Sequence, residues 1–258
     1  MKPVLQTSTL GHSYEGRALL LRRLNPGASP GGTLLIGGVH GNEEATFFLL
    51  DRFLERALAL GENAPRAVAI LARANPDAIA RGSRYNARGV DVNRNFETAW
   101  TPGSEEPSGA APWSEPETRH LRDLILAMQP QRIVTLHWAL AEVDADGPQS
   151  TALAVAMWEA LDAAARAPYR LRVWGGQPGR AFCPGSLGQW AGFGLRYPDG
   201  SRPAIVTLEL PYDPRLPRPE VLPEDHLETV RKAWVQHPQG YLAAAEPAVN
   251  RMLFAACQ

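Results

Sequence analysis

The stretch Leu34-Leu35-Ile36-Gly37-Gly38-Val39-His40-Gly41-Asn42-Glu43-Glu44 passes from an apolar run through two glycines to a histidine and two carboxylates. Its first part, Thr33 to Ile36, is short, apolar and preceded by Pro30-Gly31-Gly32, the pattern of a parallel strand covered on both faces. Gly37 and Gly38 allow a tight turn at the carboxyl end of that strand, where open α/β sheets place their ligands. Ala45 to Leu50 read as the first turns of a helix, so His40 and Glu43, three apart at its entrance, share a side. An imidazole nitrogen and a carboxylate oxygen can converge there on one cation, and zinc takes both at about 2.0–2.2 Å. A hydrolytic zinc site needs a third protein ligand, which this stretch does not supply. Taken alone, His-x-x-Glu is more often a capping glutamate beside a buried histidine.

Outward from this point, strands and helices alternate. A polar turn over Gly11 to Arg17 leads into an apolar strand, Ala18 to Leu24, and His12 is read as a turn residue. A helical pattern over 45–60 ends near Gly61. The strand Ala67 to Ala72 is closed by Asn75-Pro76-Asp77, and Ala78 to Asn95 is irregular and carries Arg81, Arg84, Arg88 and Arg94. Residues 99–114 read as an exposed loop, and Ser114-Glu115-Pro116-Glu117 as a helix start with serine at the cap. That helix reaches Met128 and places His120 on a solvated face; the strand Arg132 to His137 follows. A helix over 151–167, a short strand from Arg170 to Trp174, a loop over 175–184, a helix from Gly185 and the strand Ala204 to Leu210 come next, with helix broken at Pro238 to the end. This alternation predicts an α/β fold, a doubly wound mixed and mostly parallel sheet with helices on both faces. Three apolar strands thus end in reactive side chains: His40 with Glu43, then His137, then Glu209. In a parallel sheet those ends share one edge. Two imidazoles and a carboxylate complete a hydrolytic zinc site, and Glu209 remains as general base for the attacking water.

The totals restrict the partners. A chain of 258 residues with 45% hydrophobic content suits one α/β domain over 1–258. With 26 basic against 27 acidic residues, there is no electrostatic footprint for nucleic acid or an anionic membrane. Small peptides or other small molecules are the expected ligands, for a monomer or homodimer. Cys183 and Cys257 form no Cys-x-x-Cys pair, which leaves neither a disulfide framework nor a thiolate metal site. Lacking a long apolar segment at its start or elsewhere, the chain is expected to be cytoplasmic.

The motifs Gly38-Val39-His40-Gly41-Asn42-Glu43, Asn75-Pro76-Asp77, Gly89-Val90-Asp91-Val92-Asn93-Arg94-Asn95-Phe96, Ser114-Glu115-Pro116-Glu117-Thr118, His137 and Thr207-Leu208-Glu209-Leu210, with an opening Gly11-x-Ser13-x-Glu15-Gly16-Arg17, follow in one order. In that order the chain resembles the zinc carboxypeptidases over most of residues 10–212. The resemblance implies one zinc per chain held by His40, Glu43 and His137, with Glu209 as base and proton shuttle. It makes Asn93 and Arg94 the clamp for the substrate's terminal carboxylate, a role suited to a bidentate guanidinium beside an amide donor. Arg84 takes the place of the arginine that stabilises the oxyanion, and Leu187, after Gly185-Ser186, that of a residue lining the side-chain pocket. The layout from Arg84 to Phe96 is most similar to the branch acting on murein peptides, which implies cleavage of the γ-D-glutamyl bond to meso-diaminopimelate in murein tripeptide.

Some residues depart from the family pattern. Trp138 follows the third ligand where a small or acidic residue is common, and is expected to alter the wall of the site. The tyrosine that digestive members place before the Gly-Ser pair has no clear counterpart in Gly179 to Cys183, where Arg180 is either a partial replacement or a loop cation, and Ala78 replaces a usual glycine. Two other functions compete: an N-acyl amino acid deacylase of the aspartoacylase and succinylglutamate desuccinylase type, and a catalytically silent metal- or peptide-binding module. Retention of Glu209 beside three ligands counts against the silent module, which needs no general base.

Overall fold

The computed structural model describes residues 2–27, 30–103, 106–173, 183–220, 230 and 234–258. Its centre is an eight-stranded sheet. The strands are β1 (Leu5–His12), β2 (Ala18–Leu24), β3 (Thr33–Ile36), β4 (Val68–Leu71), β5 (Arg132–Trp138), β6 (Glu142–Ala145), β7 (Arg170–Arg172) and β8 (Ala204–Leu210), in the spatial order β1-β2-β4-β3-β5-β8-β6-β7. β4, β3, β5 and β8 run parallel, as do β6 and β7, whereas β1 with β2, β2 with β4, and β6 with β8 pair antiparallel. The sheet is therefore mixed and mostly parallel, as the alternation of elements predicts. β1 and β6 escape the sequence reading, which placed His12 in a turn, whereas it is the last residue of β1.

Alternation along each strand divides the apolar side chains between two cores. Leu35, Val134, Leu136, Val206 and Leu208 face one side, where α1 (Glu44–Ala59), α4 (Thr151–Glu159) and α7 (Pro238–Ala256) cover them. Leu34, Ile36, Ile133 and Ile205 face the other, under Leu121, Leu124 and Ile125 of α3 (Pro116–Met128). On this second face, β5 and β8 change character toward their carboxyl ends: Ile133 is followed at two-residue steps by Thr135 and His137, and Ile205 by Thr207 and Glu209. A cleft opens where the apolar layer stops.

The short helices α2 (Pro76–Arg81), α5 (Ala163–Arg166) and α6 (Leu187–Gln189) lie between these elements. α2 has a positioning task. Asn75 caps it by accepting from the Ala78 N–H at 3.2 Å, while its Nδ2 donates to the Val39 carbonyl at 3.1 Å and so holds the chain just before His40. Asp77 in turn accepts from Ser13 Oγ at 2.7 Å, the Glu15 N–H at 2.9 Å and Arg17 Nη1 at 2.7 Å. The Ser-x-Glu-Gly-Arg and Asn-Pro-Asp motifs thus bind each other, and neither enters the cleft. His120 does not lie free on a solvated face: its Nε2 is 3.1 Å from the His12 carbonyl of β1. Helix α3 begins one residue later than expected, with Glu115 at its N-cap, because Ser114 Oγ is taken by Asn95 and Glu115.

Candidate metal centre

β3 ends at Ile36, and the turn that follows fits only small residues. Gly38 has φ +59°, and a Cβ on Gly41 would stand 2.0 Å from the Ala78 carbonyl carbon. That close approach lets the turn fold back against α2 and directs His40 and Glu43 inward. Glu43 occupies the N-cap position of α1, yet its side chain caps nothing. Thr46 stands in at this end of the helix, donating to the Glu43 carbonyl at 2.6 Å and accepting from the Gly38 N–H at 3.1 Å. The capping-glutamate alternative therefore fails, and the Glu43 carboxylate faces two imidazoles instead.

His40 Nδ1 lies 2.7 Å from Glu43 Oε1, and His137 Nδ1, at the end of β5, lies 3.1 Å from Glu43 Oε2. The three side chains are buried, with ligand atoms within 4.8 Å of one another. Two imidazoles and one carboxylate form the donor set of hydrolytic zinc sites, and the convergence of these atoms fits such an ion. His40 Nε2 is 3.2 Å from Asp91 Oδ1. With an ion bound, that contact would keep a proton on Nε2 and leave the Nδ1 lone pair for the metal, as an oriented ligand requires. Burial opposes a proton on His40, but Glu43 and Asp91 outweigh it and raise the imidazole to about 9 in the metal-free chain. Burial lowers His137. Glu43 is penalised by burial and nevertheless held well below the usual carboxylate range by His40 and His137.

Asp91 also accepts from Arg84 Nε at 3.0 Å and from the Asn93 N–H at 2.8 Å. Arg84 Nη1 stands 3.8 Å from Glu43 Oε1, so the guanidinium borders the metal trio. Asn93 and Arg94 lie in the 3-10 turn Val92–Arg94 and line the same cleft. Asn93 Oδ1 accepts from the Leu187 N–H at 3.0 Å, and Arg94 Nη1 donates to the Asn93 carbonyl at 2.9 Å. Arg94 lies close enough to Asp91 to help hold its carboxyl low, but makes no salt bridge with it, and its guanidinium borders the cleft. Glu209 Oε2 accepts from the Leu140 N–H at 3.3 Å, and burial followed by the nearby Glu43 raises its carboxyl to about 8.

Leu187 is the expectation that the structure corrects. Its side chain is 2% exposed and packs in the α3-side core with Phe96 and Trp190, while its neighbours Ser186 and Gly188 border the cleft. Serine at the N-cap of α6, accepting from the Gln189 N–H at 3.1 Å, starts the helix in the phase that turns Leu187 inward. Trp138 borders the cleft beside His137, as expected, while its ring packs into the opposite core against Tyr241 at 5.0 Å. Arg180 lies outside the described residues. The sequence reading missed two groups: Asp91, which it quoted only as part of a motif, and Glu142, Asp144 and Asp146, which line the cleft from β6 and just beyond. The signal for the second group is the alternation Glu142-Val143-Asp144-Ala145-Asp146.

Among known proteins, murein peptide amidase A of Escherichia coli K12 is 35% identical over 153 residues, a match covering 52% of this chain and 62% of that relative. The chain thus spans less than two thirds of that relative's length. Succinylglutamate desuccinylase of Pseudomonas syringae pv. tomato is 42% identical over 88 residues, or 33% of this chain and 24% of that protein. The crystal structure of the murein-tripeptide amidase from Escherichia coli O157 superposes with a TM-score of 0.58 at 26% identity, covering 95% of this chain and 91% of that one. Carboxypeptidase A from Helicoverpa armigera shares the fold, with a TM-score of 0.65 at 18% identity over 98% of this chain and 69% of its own. The sequence model of the zinc carboxypeptidases matches residues 2–140, a span that begins before β1 and holds His40, Glu43, Asp91 and His137 together. The chain belongs to the zinc carboxypeptidase family.

Proposed function

We propose that the protein is a zinc-dependent metallopeptidase, with one ion per chain, that removes the terminal residue of a small peptide, and that its substrate is the γ-D-glutamyl-meso-diaminopimelate bond of murein tripeptide. The observation that carries the chemistry is the placement of Glu209, Arg84, Asn93 and Arg94 around one cleft with the His40, Glu43 and His137 trio. The substrate follows the likeness to the murein peptide amidase. Acting on peptides recovered from the cell wall, the enzyme belongs in the cytoplasm under this reading; no helix among the described residues is long and apolar enough to cross a membrane.

Zinc held by the trio would polarise the scissile carbonyl and lower the pKa of the attacking water. Glu209 takes the proton from that water and returns it to the leaving amine. Glu209, raised first by burial and then by Glu43, would be favoured in the ionised form that a base requires once the charge of Glu43 is neutralised by a bound cation. Arg84, fixed by Asp91, offers a donor to the oxyanion, a contribution worth about 3–4 kcal/mol in comparable sites. Arg94 and the Nδ2 of Asn93 receive the terminal carboxylate and hold the scissile bond over the reacting groups.

Glu209→Gln tests the chemistry: turnover of the tripeptide should fall by about 10²–10⁴ with zinc content unchanged. Near-normal turnover would remove Glu209 from the role of base. Cleavage of peptides ending in Phe or Leu with an inert tripeptide would leave the peptidase and discard the murein substrate. The desuccinylase likeness favours one second reading, deacylation of an N-acyl amino acid. Release of acetate from N-acetyl-aspartate, without release of a terminal residue from any peptide, would select it.

A further inference from the structure

β6 and the residue after it carry acids at every second position, Glu142, Asp144 and Asp146, while Val143 and Ala145 enter the core on the opposite face. In register, Glu142 stands opposite Glu209, Asp144 opposite Thr207 on one side, and Asp144 opposite Arg172 on the other. The cleft therefore continues from the reacting groups along the same face of the sheet, over Thr135, Thr207, Asp144, Asp146 and Arg172. Thr207 lies two residues before Glu209, a step of about 6–7 Å along a strand. An extended side chain with a few methylene groups spans that step.

The charges at this inner end do not cancel. Glu142 is engaged by Arg172 at 2.9 Å and by Arg218 at 3.2 Å. Arg172 reaches Asp144 only at 3.7 Å. For Asp146, the side-chain donor among the described residues is the Thr207 hydroxyl, at 2.6 Å. Burial followed by Asp144 pushes Asp146 up to about 8 against the pull of the Thr207 hydroxyl and the more distant Arg172, as expected of an enclosed carboxylate with no ion pair among the described residues. The acids are not a surface cluster, because they border the cleft that holds the metal trio. At Gly188 an added Cβ would stand 2.7 Å from the Asp146 carboxyl carbon, so the bare glycine leaves that carboxylate bordering the cleft.

Building on the peptidase reading, we propose that this inner end receives the side chain of the released residue, and that Asp146, assisted by Asp144, selects a side chain ending in an ammonium group. Meso-diaminopimelate carries such a group beside a second carboxylate, on the end that Arg172 also borders; lysine carries the ammonium alone, and norleucine has the same carbon chain without it.

The test uses zinc-loaded protein and the series L-Ala-γ-D-Glu-X, with X as meso-diaminopimelate, L-lysine or L-norleucine. Wild type should favour the first two by about 100-fold in kcat/KM, the scale of one buried charge pair. Asp146→Asn should lower those two by about the same factor, mainly through KM, and leave norleucine and the zinc content unchanged. Equal loss on all three substrates, or a wild-type preference for norleucine, would overturn the assignment. A parallel series of benzoyl-Gly-X peptides separates the two claims. If only this α-linked series is cleaved, with lysine still preferred, the pocket stands and the γ-glutamyl substrate falls. If the γ-linked series is cleaved without regard to X, the reverse holds. Calorimetric binding of free lysine and norleucine reads the pocket even without turnover, and equal affinities would refute the proposal.

Discussion

Asp91 binds three parts of the site at once: His40 Nε2, the Arg84 guanidinium and the Asn93 N–H. A neutral amide in its place keeps the size but offers only one acceptor oxygen and no charge. Asp91→Asn should therefore weaken zinc binding by about 10–100-fold and lower turnover further through Arg84, as competition with a chromophoric chelator and steady-state rates would show. Unchanged affinity would separate Asp91 from the metal. Asp146 makes a prediction of opposite electrostatic sense. It gives up its proton near 3.8 when unfolded and near 8 when folded. Between those values only the folded state holds the proton, so this group's contribution is full at the acid end and is lost as pH rises toward 8. Asp146→Asn should remove that loss, and its melting temperature should gain on wild type steadily from about pH 4 to pH 8. A constant gap across that range would contradict the raised titration of the Asp146 carboxyl. His40, Glu43, His137 and Glu209 were legible in the sequence because each ends an apolar strand or follows its turn. Asp91 was not, since its task depends on a ring brought to it from a distant strand end.

At the scale of elements, Leu187 shows why a motif position does not fix a side chain's direction. The Ser186 cap phases α6 so that Leu187 enters the core beside Trp190. Leu187→Ala should then cost about 2–5 kcal/mol of stability in denaturant unfolding, with the ranking of substrates unchanged; altered ranking at full stability would return it to the pocket. Strands β3, β4, β5 and β8 could be read because they are apolar runs. β1 could not, since its Leu5 to Thr9 portion is exposed and shows no buried alternation. β6 could not because its cleft-facing positions are acidic, and only knowledge of the cleft makes Glu-Val-Asp-Ala-Asp a half-buried strand. Of the motifs that resemble the family, several hold structure alone. Asn95, for instance, donates to the Ser108 and Ala111 carbonyls at 2.8 Å each, and so fastens the loop before α3.

Across the whole molecule, the metal trio sits at the rim of a sheet whose two cores are filled independently of it. Removing zinc with a chelator should abolish turnover and lower the melting temperature by the linkage term alone, while the far-ultraviolet spectrum stays that of a folded α/β protein. Collapse of that spectrum would mean that the ion organises the fold. The order of the strands has a further consequence. The trio and Asp91 come from β3, the turn before Val92 and β5, all within the first 138 residues, whereas Asp144, Asp146 and Arg172 come from β6 and β7 at the far edge of the sheet. β6 and β7 are attached to the rest of the sheet through the single antiparallel seam with β8. Under the proposed reading, substitution at that border would change which peptide is accepted while leaving the metal ligands in place, so selectivity and cleavage could be inherited separately.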